Sequence, residues 1–276
     1  MNSNIPFDSV SGFVKIWKNY AKKIIKNKPD ERFLYAHPSD FDALSKMKSG
    51  EEYIDVRTYD EYLRNDAFLG VHFSGEILNK NKKEIILDQA IHIGLPLGPF
   101  AGNLETAKFV LLLMNPGASP SDYYKSSIFN YCVNEDVFSH ILKPCYMRPE
   151  MSWHAGYTYG IKRWRRVLDE LFVMTKSKEK SLQILRAGVA ILQYSPYPSR
   201  NGNWKILNKL PTSQYAKAVA QMLIDEGRVV VCGRGVEQWK IEKGLFEDYS
   251  LKNPRNPQFE NPRKVAELLI GSSGFY

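Results

Sequence analysis

The chain has 276 residues, 43% hydrophobic and 25% charged, values that exclude a disulfide-stapled miniprotein, a disordered chain and a fibre. Its 38 Lys and Arg against 30 Asp and Glu leave a net charge of +8, which suits a polyanionic partner without identifying one. No apolar run reaches the roughly 18 residues that cross a bilayer, and MNSNIPFDSV has neither a charged n-region nor an apolar h-region, so a cytoplasmic chain without membrane contact is expected.

Residues 13–28 place Phe13, Ile16, Trp17, Tyr20, Ile24 and Ile25 at helical spacing, with Lys15, Lys18, Lys22, Lys23, Lys26 and Lys28 between them. This predicts an amphipathic helix whose lysine face is either simply solvated or a phosphate contact. His37-Pro38-Ser39 mimics a catalytic loop, but it precedes an acidic helix start at Asp40, and Ser39 reads as the N-cap. Tyr53-Ile54-Asp55-Val56-Arg57-Thr58, running into Asp60-Glu61-Tyr62, looks like a rhodanese strand-to-helix segment. That chemistry needs a thiolate in the next loop, and the next cysteine, Cys132, lies far downstream, which removes the reading. Residues 76–90 are charged and strand-poor, with an exposed turn at 79–83, so residues 1–94 are expected to form a partly helical extension.

Beyond it the pattern changes. Lys108 to Met114 (KFVLLLM) is a continuous apolar run ended by Asn115-Pro116-Gly117, the signature of a buried parallel strand. Helix follows at 161–174, with Ile161, Trp164, Val167, Leu168, Leu171 and Phe172 on one face and Lys162, Arg163, Arg165 and Arg166 on the other. A second strand, 188–193, stops before Pro196 and Pro198; a helix at 214–226 leads to a third strand, 228–232, ending in Gly233-Arg234-Gly235. A short fourth strand is expected at 248–252 and a last helix at 262–270. The order predicts an α/β domain over 95–276: a three-layer αβα sandwich around a central, mainly parallel four-stranded sheet, with the site at the carboxyl ends of the strands.

Those ends carry amides, aromatics and arginines but few acids. There is no G-x-x-x-x-G-K-[ST], and Gly233-Arg234-Gly235 lacks the third glycine of a dinucleotide fingerprint. The five histidines, His37, His72, His92, His140 and His154, form no close pair, and Cys132, Cys145 and Cys232 form no C-x-x-C. Free thiols and neither metal nor cofactor are expected. Ser195 lacks the G-x-S-x-G elbow of a serine hydrolase.

LLLMNPG at 111–117 resembles the first motif of the uracil-DNA glycosylase superfamily, closest to its single-strand-selective monofunctional and mismatch-specific branches. GVAILQ resembles the strand that presents the base-reading amide, and RVVVCGRGVEQWK the third strand with its turn and helix. The stretch Pro254-Arg255-Asn256-Pro257-Gln258, then Asn261 and a helix, is similar to the second motif. One register puts Leu251 at the family's histidine position, and the other, preferred here, puts Asn253 there.

The resemblance implies a cofactor-free, monofunctional, monomeric DNA glycosylase that flips a pyrimidine and hydrolyses its N-glycosidic bond. Asn115 would orient the water and Asn253 stabilise the departing base, although each is equally a turn residue before proline. Gln193 would read the base edge where the family carries Asn, with Gly117 and Tyr194 beside it. Tyr123, Tyr124 or Phe129 would supply the stacking ring, Phe129 fitting the family spacing best, unless these rings are core. DNA contacts would come from Arg255, Arg234, Lys162, Arg163, Arg165 and Arg166. The longer Gln193 amide and the long 118–160 stretch leave two substrates: a uracil-type lesion, for repair, or a bulky modified pyrimidine such as a glucosylated cytosine of phage DNA, for defence. A non-catalytic nucleic-acid reader and an enzyme of free nucleotides are the rival readings.

Overall fold

The computed structural model describes residues 5–27, 32–33, 35–56, 89–95, 97–116, 158–233, 235–241, 249, 251 and 259–271, with backbone alone at 24–27 and 158–163. In chain order these residues form α1 (Val10–Asn27), α2 (Phe41–Ser45), β1 (Tyr53–Ile54), β2 (Ile91–His92), β3 (Phe100–Gly102) and β4 (Phe109–Leu113). Then come α3 (Thr158–Thr175), α4 (Lys178–Gly188), β5 (Val189–Gln193), α5 (Trp204–Leu207), α6 (Pro211–Asp225), β6 (Val229–Cys232), α7 (Val236–Trp239) and α8 (Pro262–Gly271). The molecule is an α/β protein.

The three apolar runs become β4, β5 and β6, which are mutually parallel, with β4 between the other two. A fourth strand, β3, joins antiparallel at the outer edge of β5, giving the order β3-β5-β4-β6. Of the strand expected at 248–252 only Tyr249, in a helical turn, and Leu251, in an isolated bridge to Phe259, are described; residues 248, 250 and 252 lie outside the described residues. Gly102 explains why so short a strand can pair: at φ +84°, a side chain there would lie 2.5 Å from the Val189 carbonyl oxygen. β1 and β2 form a separate parallel pair.

The runs are apolar throughout because both faces of the sheet are covered. Val110, Leu112, Ala190, Leu192 and Val230 pack in one core with Phe13 and Trp17 of α1 and Tyr215, Val219 and Leu223 of α6. Their sequence neighbours Phe109, Leu111, Val189, Ile191 and Val231 pack in a second core with α3, α4 and α8. Each fully buried Leu, Ile or Phe contributes on the order of 1.5–3 kcal/mol to this arrangement. Residues before 95 help to close the first core: the Phe13 ring lies 5.9 Å from Phe100, and Phe7 lies 5.8 Å from Tyr215.

Three local expectations change. On α3, Trp164, Val167 and Leu171 are buried, but Phe172 is 50% exposed, because it falls at the margin of the stripe those three define. α4 has no counterpart in the sequence reading; it starts after Lys176 turns the chain at φ 54°, with Ser177 accepting the Lys180 N–H at 3.3 Å. At 37–40 the cap is His37 rather than Ser39, since His37 Nδ1 accepts the Ser39 N–H at 3.2 Å and Asp40 is fully buried.

Candidate functional site

Among the described residues the next helix after β4, α3, packs on one face, and α6, after β5, packs on the other. Connections diverging from adjacent parallel strands part the chain at their carboxyl ends, the place where open α/β sheets bind ligands. Asn115 and Gln193 flank this point, for Leu113, two residues before Asn115, is the register partner of Gln193.

Main-chain bonds carry the pairing past the strands. Tyr194 and Ser195 donate to the carbonyls of Leu113 and Met114 at 2.8 and 2.9 Å, and Ser199 donates to Pro116 O at 3.0 Å. Asn115 is locked by this stitching. Its Nδ2 faces three acceptors: Pro116 O at 2.6 Å, Ser199 O at 3.0 Å and Ser199 Oγ at 2.9 Å. Two are carbonyl oxygens that accept only, so the nitrogen must occupy this position and Oδ1 must point away. Oδ1 receives no hydrogen bond among the described residues. Gly202 packs so closely that a side chain there would lie 2.5 Å from Asn115 Oδ1 and 2.5 Å from Met114 Sδ. Glycine at 202 therefore leaves room for the Asn115 carbonyl.

Gln193 ends β5 with its side chain 5% exposed, and its Oε1 has no hydrogen-bond partner among the described residues. A buried amide oxygen without a donor costs on the order of 1–3 kcal/mol, so the position is poor for stability and apt for a ligand donor. Tyr194, grouped with it in the sequence, goes the other way. Strand alternation turns it into the first core, fully buried, where its ring meets Trp204 at 4.9 Å and Trp239 at 5.1 Å. Its hydroxyl donates to Asn208 Oδ1, and burial pushes its pKa up to about 12, making it a weaker acid. Tyr194 packs in this core and forms a floor for Trp204.

Trp204 is the aromatic that sequence reasoning passed over. It is half-buried, two residues after Gly202, and its ring edge leaves no space for a side chain on Gly235, which adopts φ +75° after β6. Its placement between the ends of β4 and β6 depends on the β5–α6 loop folding back, which no local pattern reveals. The signal available was an aromatic closing the turn-forming run Asn201-Gly202-Asn203. Ser195 is fully buried, and its Oγ accepts the Tyr197 N–H at 3.3 Å, a turn role and not that of an exposed nucleophile.

Beneath the 195–199 loop lies a buried polar group. The Asp40 carboxylate accepts from Tyr197 Oη at 2.6 Å, Thr212 Oγ1 at 2.7 Å and Thr212 N at 3.0 Å, the last capping the first turn of α6. Burial pushes the Asp40 carboxyl up to about 6 against the pull of those three bonds. His37, between the rings of Trp17 and Tyr20, is held down to about 4 by burial and by Lys23. Burial and the neighbouring carboxylate raise the Tyr197 hydroxyl well above its usual value.

Arg165 and Arg166 are exposed on α3. Lys162 and Arg163 belong to the same helix, but their side chains lie outside the described residues, as do Gly117, Tyr123, Tyr124, Phe129, Arg234, Asn253 and Arg255. Lys15, Lys18, Lys22 and Lys23 are exposed on α1, with Lys18 3.6 Å from Glu105. Among the described residues no group of three or more His, Cys, Asp or Glu is placed to hold a metal, and no helix is long and apolar enough to cross a membrane. No protein-family model, no curated protein and no solved structure matches the chain.

Proposed function

We propose that the chain is a DNA glycosylase of the uracil-DNA glycosylase type, built as a three-layer αβα sandwich, which hydrolyses the N-glycosidic bond of a damaged or modified pyrimidine. The observation that carries the reading is the pairing of two amides at the ends of β4 and β5: Asn115, with its nitrogen tied down, and Gln193, with a buried oxygen, neither carbonyl oxygen taking a hydrogen bond from the described residues. In this reaction a water oxygen bonds to C1′ and gives up a proton, while the base leaves with the electrons of the broken C–N bond and takes up a proton, through an oxocarbenium-like transition state. A water held by Asn115 Oδ1 needs no strong acid, because the fixed dipole is already oriented. Gln193 Oε1 would take a hydrogen bond from an N–H of the flipped base and so select it. Trp204 offers a half-buried ring beside the same strand ends, and the exposed Arg165 and Arg166 offer phosphate contacts.

Incubating the protein with DNAs that carry uracil or different bulky modified pyrimidines, and identifying the released base by mass spectrometry, tests the reading. Release of one free base with a matching abasic site is expected; binding without release from every DNA would replace it. That outcome belongs to the second reading, a non-catalytic base reader, which is favoured by a neutral amide, rather than a carboxylate, at position 115.

A further inference from the structure

Tyr197 is fully buried, and both hydrogen-bonding functions of its hydroxyl are used by a distant segment: it donates to Asp40 Oδ2 at 2.6 Å and accepts the His37 N–H at 3.0 Å. A phenylalanine would fill the same space, so the hydroxyl is present for those partners. They are themselves anchored. Asp40 is bonded to Thr212 at the start of α6, and the His37 side chain is fixed by Ser39 N and by the Trp17 ring. Tyr197 stands two residues before Ser199, whose carbonyl and hydroxyl hold the Asn115 amide. The loop is also tied at Pro196 and Pro198, whose carbonyls accept from Gly98 N and His92 N, both at 2.8 Å.

We propose that Tyr197 is a positioning residue of the site: by fixing the 195–199 loop to Asp40 and His37 it sets Ser199, and through Ser199 the direction of Asn115 Oδ1. The role assigned to Asn115 rests on the glycosylase reading; the mechanical coupling from Tyr197 to Asn115 does not. It makes the segment 37–40 part of the machinery that aligns the site. Without the phenol, the His37 N–H and one oxygen of Asp40 lose a partner in a dry interior, and the loop gains freedom to shift away from the clamp.

The test uses the full chain with Tyr197→Phe, which keeps the ring. Water exchange of the Asn115 side-chain amide protons is followed by NMR, their signals identified by loss in Asn115→Asp, beside the backbone amides of β4 and β5. Asn115 amide exchange is expected to quicken about tenfold or more while the strand amides stay protected, since losing one buried hydrogen bond corresponds to about that factor. Single-turnover base release should slow by a similar factor, with DNA affinity within about twofold of wild type. Asp40→Asn, which still offers Tyr197 an oxygen, should fall between wild type and Tyr197→Phe. If Tyr197→Phe does not fold, Asp40→Asn decides by the same exchange measurement. Asn115 exchange equal to wild type, or quickened only in step with the strands, overturns the proposal. A wild-type chain that releases no base overturns the glycosylase reading instead, and the exchange rates still judge the coupling.

Discussion

Ser199, in the loop after β5, holds Asn115, at the end of β4, through both its carbonyl and its hydroxyl, a pair 84 residues apart in the chain. The consequence for substitution is specific. Aspartate at 115 would put a carboxylate oxygen against Pro116 O and Ser199 O, neither of which can donate. Asn115→Asp should lower stability by about 1–3 kcal/mol at pH 8, recover part of it at pH 5 as the carboxyl protonates, and give no faster base release. Urea unfolding at the two pH values and single-turnover rates check this; an Asn115→Asp variant that is both stable and faster would refute the clamp.

Gln193 should show stability and activity moving in opposite directions. Gln193→Met keeps the side chain's length while removing the buried oxygen that has no donor among the described residues. Thermal unfolding should be unchanged or shifted upward, by the equivalent of about 1 kcal/mol, while release of the preferred base falls about a hundredfold. A variant that loses stability and keeps its base preference would make Gln193 a structural residue.

The pH dependence of stability should hide two opposing slopes. Asp40 keeps its proton to about 6 in the folded chain against 3.8 for an ordinary carboxyl, so its contribution is greatest below about 4 and declines as pH rises to about 6. His37 stays neutral down to about 4 against the usual 6.5, so its contribution is complete above 6.5 and is lost as pH falls through that interval. Over the shared window the two offset each other. Asp40→Asn should leave a stability that rises with pH between about 4 and 6.5; chemical denaturation across that range measures it, and a flat or falling profile in the variant would contradict the assignment.

Arg165→Glu with Arg166→Glu reverses two exposed charges on α3 without touching its buried stripe. Fluorescence anisotropy should show weaker binding to every DNA sequence alike, with a shallower salt dependence, and unchanged folding. Unaltered affinity would mark this face as merely solvated.

How much of this is legible in the sequence varies with the range of the interaction. β4, β5 and β6 announce themselves because a strand covered on both faces must be apolar at every position, and α1, α3, α6 and α8 because their stripes repeat locally. β3 carries no such pattern, since its three residues pair because Gly102 lets the backbone approach Val189. The site divides the same way. Asn115 and Gln193 are found as strand ends, but the clamp on one and the burial of the other's amide oxygen depend on Ser199 and on the packed interior. Tyr194 reads as a site residue because it follows Gln193, and the pleat turns it inward. Asp40 reads as an ordinary helix start, because its partners Tyr197 and Thr212 come 157 and 172 residues later.

The packing of α1 also has a bearing on how the protein is made. Phe13, Trp17 and Tyr20 leave the ribosome long before Tyr215, Val219 and Leu223 of α6, which share their core. Until α6 is synthesised, this aromatic stripe lacks its final partner. Contacts between segments so far apart in sequence slow folding and prolong the exposure of sticky surface. Any change that delays or weakens α6 therefore lengthens the interval during which the stripe can capture a wrong partner.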